Sequence, residues 1–366
     1  MHTTQLSFLI LFTFCSASSR QIDTLRGWRT EPWPEADRLF HGDMRWLGSD
    51  GAYSVDLGRD RVLWLFGDTF IGDGLQRDRG RATMIRNSIG LQVGIDPSQA
   101  SMKFFWGSSS GKPSSYVPEV DTTWFWFGDG IRLGDRLLLT VARMRSVHTG
   151  LGFEFVSSHP VVVSNPDDDP VRWNLERLEF ASDTLLRTTF PSAFVPASPF
   201  LYGYFTDNPQ EQCVYLVRWA IKDIVAGDFS HCDWWSPADR TWHSGAGLRR
   251  KPPPVMTGAQ SEFTVHREAG TTQYTVVQSV GFGATSIGVR QSAHPEGPWP
   301  IPSFLYLPEE SRRPGGFVYA AKAHPHLRGA DLVLSYASNC FDFGTLVRDT
   351  TLYFPRFLKV NVSHRR

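Results

Sequence analysis

Residues 49–73 read SDGAYSVDLGRDRVLWLFGDTFIGD, two strand patterns joined by a charged turn and fenced by carboxylates. Tyr53-Ser54-Val55-Asp56-Leu57 alternates apolar and polar residues, whereas Val62-Leu63-Trp64-Leu65-Phe66 is an unbroken apolar run of strand length. Gly58-Arg59-Asp60-Arg61 between them predicts a hairpin. Asp50 then stands near the start of the first strand and Asp68 follows the second.

The second, apolar half of this unit recurs. Leu137-Leu138-Leu139-Thr140-Val141, Phe200-Leu201-Tyr202-Gly203-Tyr204, Tyr274-Thr275-Val276-Val277 and Leu332-Val333-Leu334-Ser335-Tyr336 follow at spacings of about 60 to 75 residues. Each has a more polar partner upstream, and these partners are expected to begin near Asp50, Asp129, Ser192, Glu262 and His324. Loops rich in Gly, Pro and Asp separate the units, and Ile221–Asp228 is the one short stretch that reads as a helical turn. The pattern predicts an all-β chain folded as a five-bladed β-propeller with a funnel-shaped central site. A β-sandwich or two smaller domains is the competing architecture. In a propeller, Asp50, Asp129, Glu262 and His324 come from four blades and converge on one axis.

Length and composition set the boundaries. Of 366 residues, 1–19 resemble an export signal, with an apolar core from Leu6 to Phe14 and small residues after it. That core is too short to span a bilayer. Residues 20–41 read as an irregular lead-in or a closing strand, and 42–366 as one propeller domain. The expected location is secreted or periplasmic. Lys plus Arg and Asp plus Glu number 37 each, so no net charge draws the chain to nucleic acid or to an anionic membrane. Thirteen tryptophans within an aromatic content of 13% suggest platforms for the flat apolar faces of sugars. Outside the signal lie Cys213, Cys232 and Cys340, of which Cys213 and Cys232 are candidates for a cross-strand disulfide. No cysteine or histidine spacing marks a metal site.

Seven segments in order, LGSDGAYSVDL, LWLFGDTFIG, MIRNSIGL, SEFTV, SAHPEGPW, AAKAHPHL and LYFPRFLKV, resemble a domain-of-unknown-function family of secreted five-bladed propellers. Some members of that family are endo-D-arabinofuranases, and its fold is similar to that of arabinanases, invertases and levansucrases. The resemblance, which spans most of Met44 to Val360, implies a glycoside hydrolase working through paired carboxylates. By motif position it implies Asp50 as base or nucleophile and Glu262 as general acid, with apolar neighbours expected to keep Glu262 protonated. The third acidic role falls to Asp129 or Asp68.

Around these, Asp68, Arg86, Asn87, Trp126 and His324 are candidates for substrate contact, with Arg86 suited to hold Asp68 ionised. For each the competing reading is structural: a buried Asp tied to backbone, a satisfied core His, a Trp packed between blades. The expected partner is a polysaccharide or oligosaccharide bound by a monomer, such as an arabinan, with neither nucleic acid nor a membrane span involved. No cofactor is expected, and an axial ion such as calcium is left open. The alternative function is a non-catalytic carbohydrate-binding or extracellular interaction propeller.

Overall fold

The computed structural model describes residues 27–180, 184–207, 211–281 and 285–362; the expected export signal, residues 1–19, lies outside them. Five antiparallel sheets follow one another as five blades. The innermost strands are Trp46–Gly58, Thr123–Leu133, Phe190–Ala197, Phe263–Arg267 and Gly316–Ala323. Each inner strand packs against the next, and the fifth returns to the first, which closes the ring. All five apolar runs found in the sequence are second strands of their blades: Arg61–Ile71, Arg136–Ser146, Phe200–Asp207, Tyr274–Val280 and Leu332–Cys340. They are apolar throughout because they lie inside a sheet that other blades cover on both faces, the condition that removes alternation from a strand.

The opening hairpin forms as expected. Gly58 pairs with Arg61, leaving a two-residue loop. Arg59 and Asp60 both adopt positive φ, 54° and 56°, as a type I′ turn requires. The lead-in contributes the closing strand: Trp28–Pro32 pairs with Arg356–Val362 and so becomes the outer strand of the fifth blade. This joins the two ends of the described chain in one sheet. Between the blades the core is aromatic. Trp46, Trp64, Trp219 and Trp234 are all buried to within 1%, and burial of each large apolar side chain stabilises the fold by roughly 1.5–3 kcal/mol.

Two inner strands start earlier than the sequence suggested. In the second blade the run Thr123-Trp124-Phe125-Trp126-Phe127 is itself the beginning of the strand, so Asp129 sits in its middle. In the fifth blade the strand is Gly316–Ala323, and His324 follows its end rather than opening it. Tyrosine and tryptophan therefore occupy the mouth in those blades, and Asp129 and His324 lie deeper. The proposed Cys213–Cys232 bridge is also excluded by register. Arg218 pairs with Asp233, which sets Cys232 opposite Trp219, six residues along the strand from Cys213. At ~3.3 Å per residue that is about 20 Å, far beyond disulfide reach. Cys213, Cys232 and Cys340 are buried thiols.

Candidate active site

Asp50 lies where the first inner strand departs from regular pairing. Its register against Arg61–Ile71 shifts repeatedly between Trp46 and Tyr53. Gly48 and Gly51 take positive φ of 121° and 82°, and Ala52 follows at 59°. Such bulges re-aim side chains, and here they turn the Asp50 carboxylate toward the fifth blade. Tyr319 donates its hydroxyl to Asp50 Oδ2 at 2.7 Å, and Tyr353 reaches the same oxygen at 3.3 Å. Asn339 Nδ2 donates to the Tyr319 hydroxyl at 3.2 Å and so orients it. Burial raises Asp50 to about 8; the nearby charges of Asp68 and Glu262 push the same way, against the tyrosine hydrogen bond and the Lys322 charge. At neutral pH the carboxyl group keeps its proton.

Gly67 leaves room for that carboxyl. A Cβ at residue 67 would land on Asp50 Oδ1 and touch little else. Gly67→Ala is therefore expected to displace Asp50 with small effect on thermal stability. Paired melting curves of the wild type and Gly67→Ala check this, and a large drop in melting temperature would contradict the geometry.

Asp68 is the carboxylate most elaborately held from the side. Arg86 Nη1 donates to its Oδ2 at 3.1 Å and Trp126 Nε1 to its Oδ1 at 2.9 Å. The Arg86 guanidinium lies 4.4 Å above the Trp124 ring, which fixes the cation in turn. Ser49 ties the strand beneath, its hydroxyl bonding to Asp68 O at 2.8 Å and Thr69 Oγ1 at 2.9 Å. Burial nonetheless raises the Asp68 pKa, with Arg86 and Trp126 opposing it. Arg86 and Trp126 thus reach the mouth as positioners of Asp68.

Glu262 immediately precedes the fourth inner strand, Phe263–Arg267. Its neighbour is an ammonium group rather than the apolar wall expected from sequence. Lys322 Nζ donates to Glu262 Oε1 at 2.9 Å, to Gly51 O at 2.6 Å and to Ala320 O at 3.3 Å. The cation also lies 4.1 Å from the Tyr53 ring centroid. Lys322 is completely buried, so it joins the first, fourth and fifth blades near the axis. Burial lowers its pKa, while Glu262, Asp50 and Asp129 act to raise it. A side chain with three acceptors and an aromatic face holds its charge despite burial. Lys322, Tyr319 and Tyr353 were missed in the sequence; the one local signal was a lysine in the otherwise apolar Ala320-Ala321-Lys322-Ala323.

Three predicted residues, Asp129, Asn87 and His324, bond to the scaffold. Asp129 accepts backbone N–H groups from Gly130 and Phe194, each at 2.8 Å, and ties the second blade to the third. Its pKa is raised to about 7 by burial. Asn87 is buried and fully bonded, donating to Val117 O and Phe125 O and accepting from Val117 N. His324 is wholly buried, with Nδ1 on Ser54 at 2.5 Å and Nε2 on Ser335 at 2.7 Å. These side chains are engaged in the scaffold. The axial set also fits a cation poorly, because Lys322 already supplies the positive charge there and both His324 nitrogens are used.

The site therefore combines two carboxylates from the first blade, one from the fourth, and a buried ammonium from the fifth. Comparison with solved structures finds this fold in a candidate hydrolase from Bacteroides ovatus ATCC 8483, 16% identical, covering 93% of this chain and 92% of that one at a TM-score of 0.73. The catalytic domain of the GH62 α-L-arabinofuranosidase of Coprinopsis cinerea is 11% identical, with coverages of 92% and 96% and a TM-score of 0.51. The GH43_1 enzyme of Xanthomonas citri complexed with xylose is 13% identical, with coverages of 93% and 91% and a TM-score of 0.50. At these identities the likeness establishes the five-bladed fold. No curated protein matches the sequence. Residues 35–362 match the family model described as a domain of unknown function (DUF5005), and the chain belongs to that family.

Proposed function

We propose that this protein is an exported glycoside hydrolase acting on a furanose-containing polysaccharide such as an arabinan. The observation that carries the reading is the placing of two carboxyl groups in unlike settings at one mouth: Asp50 accepting from the Tyr319 and Tyr353 hydroxyls, and Glu262 bound to the Lys322 ammonium. Glycoside cleavage requires such a division, one carboxylic acid to protonate the leaving oxygen and one carboxylate to act on water or on the anomeric carbon.

The environments favour Asp50 as the acid and Glu262 as the carboxylate, the reverse of the roles implied by motif resemblance. Asp50, Asp68 and Glu262 face two cations, Lys322 and Arg86, so one proton leaves the group neutral, and with Arg86 paired to Asp68 and Lys322 to Glu262 that proton falls to Asp50. Asp68, fixed by Arg86 and Trp126, supplies the third acidic role by raising the Asp50 pKa and offering oxygens to sugar hydroxyls. Two neighbours of the fold agree in chemistry: an α-L-arabinofuranosidase and an enzyme solved with xylose.

The test is sugar release from a panel of arabinans and arabinoxylans by wild type, Asp50→Asn and Glu262→Gln. Activity in the wild type lost in both variants is the expected result, and equal activity in all three would refute the assignment. The ion pair on Glu262 also favours a second reading, a propeller that binds glycans without cleaving them, since a neutralised carboxylate can serve as a hydrogen-bond acceptor alone. Calorimetric binding to the same glycans with no sugar released by the wild type would establish that reading.

A further inference from the structure

The mouth carries two aromatic chains that run from Asp50 out to solvent. Phe341, directly after Leu332–Cys340, is 55% exposed, and Phe343, the first residue of the helix Phe343–Arg348, is 58% exposed. Phe341 stacks on Phe317 with centroids 4.4 Å apart and planes 26° apart. Phe317 in turn stacks on Tyr319 at 5.4 Å and 28°, and Tyr319 donates to Asp50. On the other side Phe343 lies 6.2 Å from Phe70, which meets Tyr353 edge-on at 5.5 Å. Tyr353 is the second donor to Asp50.

Large aromatic side chains held in water beside a polar cleft mark a recognition surface. This pair is held in place: Asp342 between them caps the helix by accepting from Thr345 N at 2.7 Å. The Phe341 backbone N–H donates to Gly315 O at 2.9 Å, anchoring the loop to the start of the fifth inner strand. The two ring systems are continuous with the candidate acid and carry no charge, which suits the weakly polar face of a sugar ring.

We propose that Phe341 and Phe343 form an aromatic subsite on the fifth-blade rim that stacks sugar rings beyond the scissile bond. The protein then takes oligomeric or polymeric glycans in preference to small monosaccharide glycosides. This inference rests on the glycosidase reading and adds the rim residues that select chain length.

Titration of arabino-oligosaccharides of two to six units into Asp50→Asn protein, alone and combined with Phe341→Ala or Phe343→Ala, tests it by calorimetry. Affinity is expected to climb with chain length in the parent. Each alanine weakens the longest ligands by about tenfold, the scale of one aromatic stack, and leaves the dimer within about twofold. Phe341→Trp is expected to keep the long-chain affinity. Length dependence unchanged by both alanine variants would overturn the subsite while leaving the carboxylate assignment standing. Absence of binding by any oligosaccharide, together with no cleavage by the wild type, would overturn the glycosidase reading and the subsite with it. Self-association of the wild type that is abolished by Phe343→Ala in sedimentation would assign the patch to a second copy instead, and would also overturn the proposal.

Discussion

Asp50→Asn protein is expected to lose glycoside-cleaving activity by about 10²- to 10⁴-fold, the contribution of a positioned general acid, while melting at a higher temperature than the wild type. Both effects have one cause. Burial beside Asp68 and Glu262 raises the Asp50 pKa to about 8, from the ordinary 3.8. Between those values the folded state keeps a proton that the unfolded chain has released, so this group's contribution to stability declines as pH rises from about 4 to about 8. Above that, a buried anion is imposed on two others. Asparagine keeps the shape and can still accept from Tyr319, but never ionises, so its advantage over the wild type grows as pH rises toward 8.

The same pKa sets the pH profile. With Asp50 as the proposed acid, kcat/KM is expected to fall above about pH 8, where Asp50 gives up its proton. Measuring kcat/KM between pH 4 and pH 10, with melting temperatures across the same range, checks both consequences. An active Asp50→Asn enzyme would refute the acid role. A variant that melts lower than the wild type at pH 8 would show that the carboxyl group is not strained in the fold.

Much of this architecture was legible before any coordinates. The second strand of each blade is covered on both faces, so Val62–Phe66 and its four counterparts appear as plain apolar runs at blade spacing. Asp50, Asp68, Arg86 and Glu262 were legible as candidates for the same reason, since they lie beside those runs or in motifs of the family, whereas Trp126 was legible only as an aromatic suited to stacking on a sugar. The inner strands are harder to read. They mix buried aromatic and polar residues, and bulges at Asp50, Asp129 and Tyr319 break the two-residue period on which strand frames rest. Frames in the second and fifth blades consequently slipped, which promoted Asp129 and His324 and hid Trp126's link to Asp68 and Tyr319's link to Asp50. The Lys322–Glu262 pair joins residues 60 apart in sequence through the axis, and no local pattern encodes a contact of that kind. The cysteine pairing failed for a simpler reason, since residue types suggest a bridge but only register measures its span.

Lys322→Met protein is expected to be destabilised by about 3–5 kcal/mol, the range found when one partner of a buried ion pair is removed. The ammonium is fully buried and bonds to Glu262, Gly51 O and Ala320 O. Methionine fills the volume but leaves those acceptors facing an apolar side chain. Removing the carboxylate as well should relieve part of this loss: in Lys322→Met with Glu262→Gln, the combined destabilisation is expected to be smaller than the sum of the single effects. Chemical denaturation of the four proteins gives that coupling directly. Additive effects in the double variant would mean that Lys322 serves the backbone carbonyls alone, and the assignment of Glu262 as the ionised partner of Asp50 would then lose its physical basis.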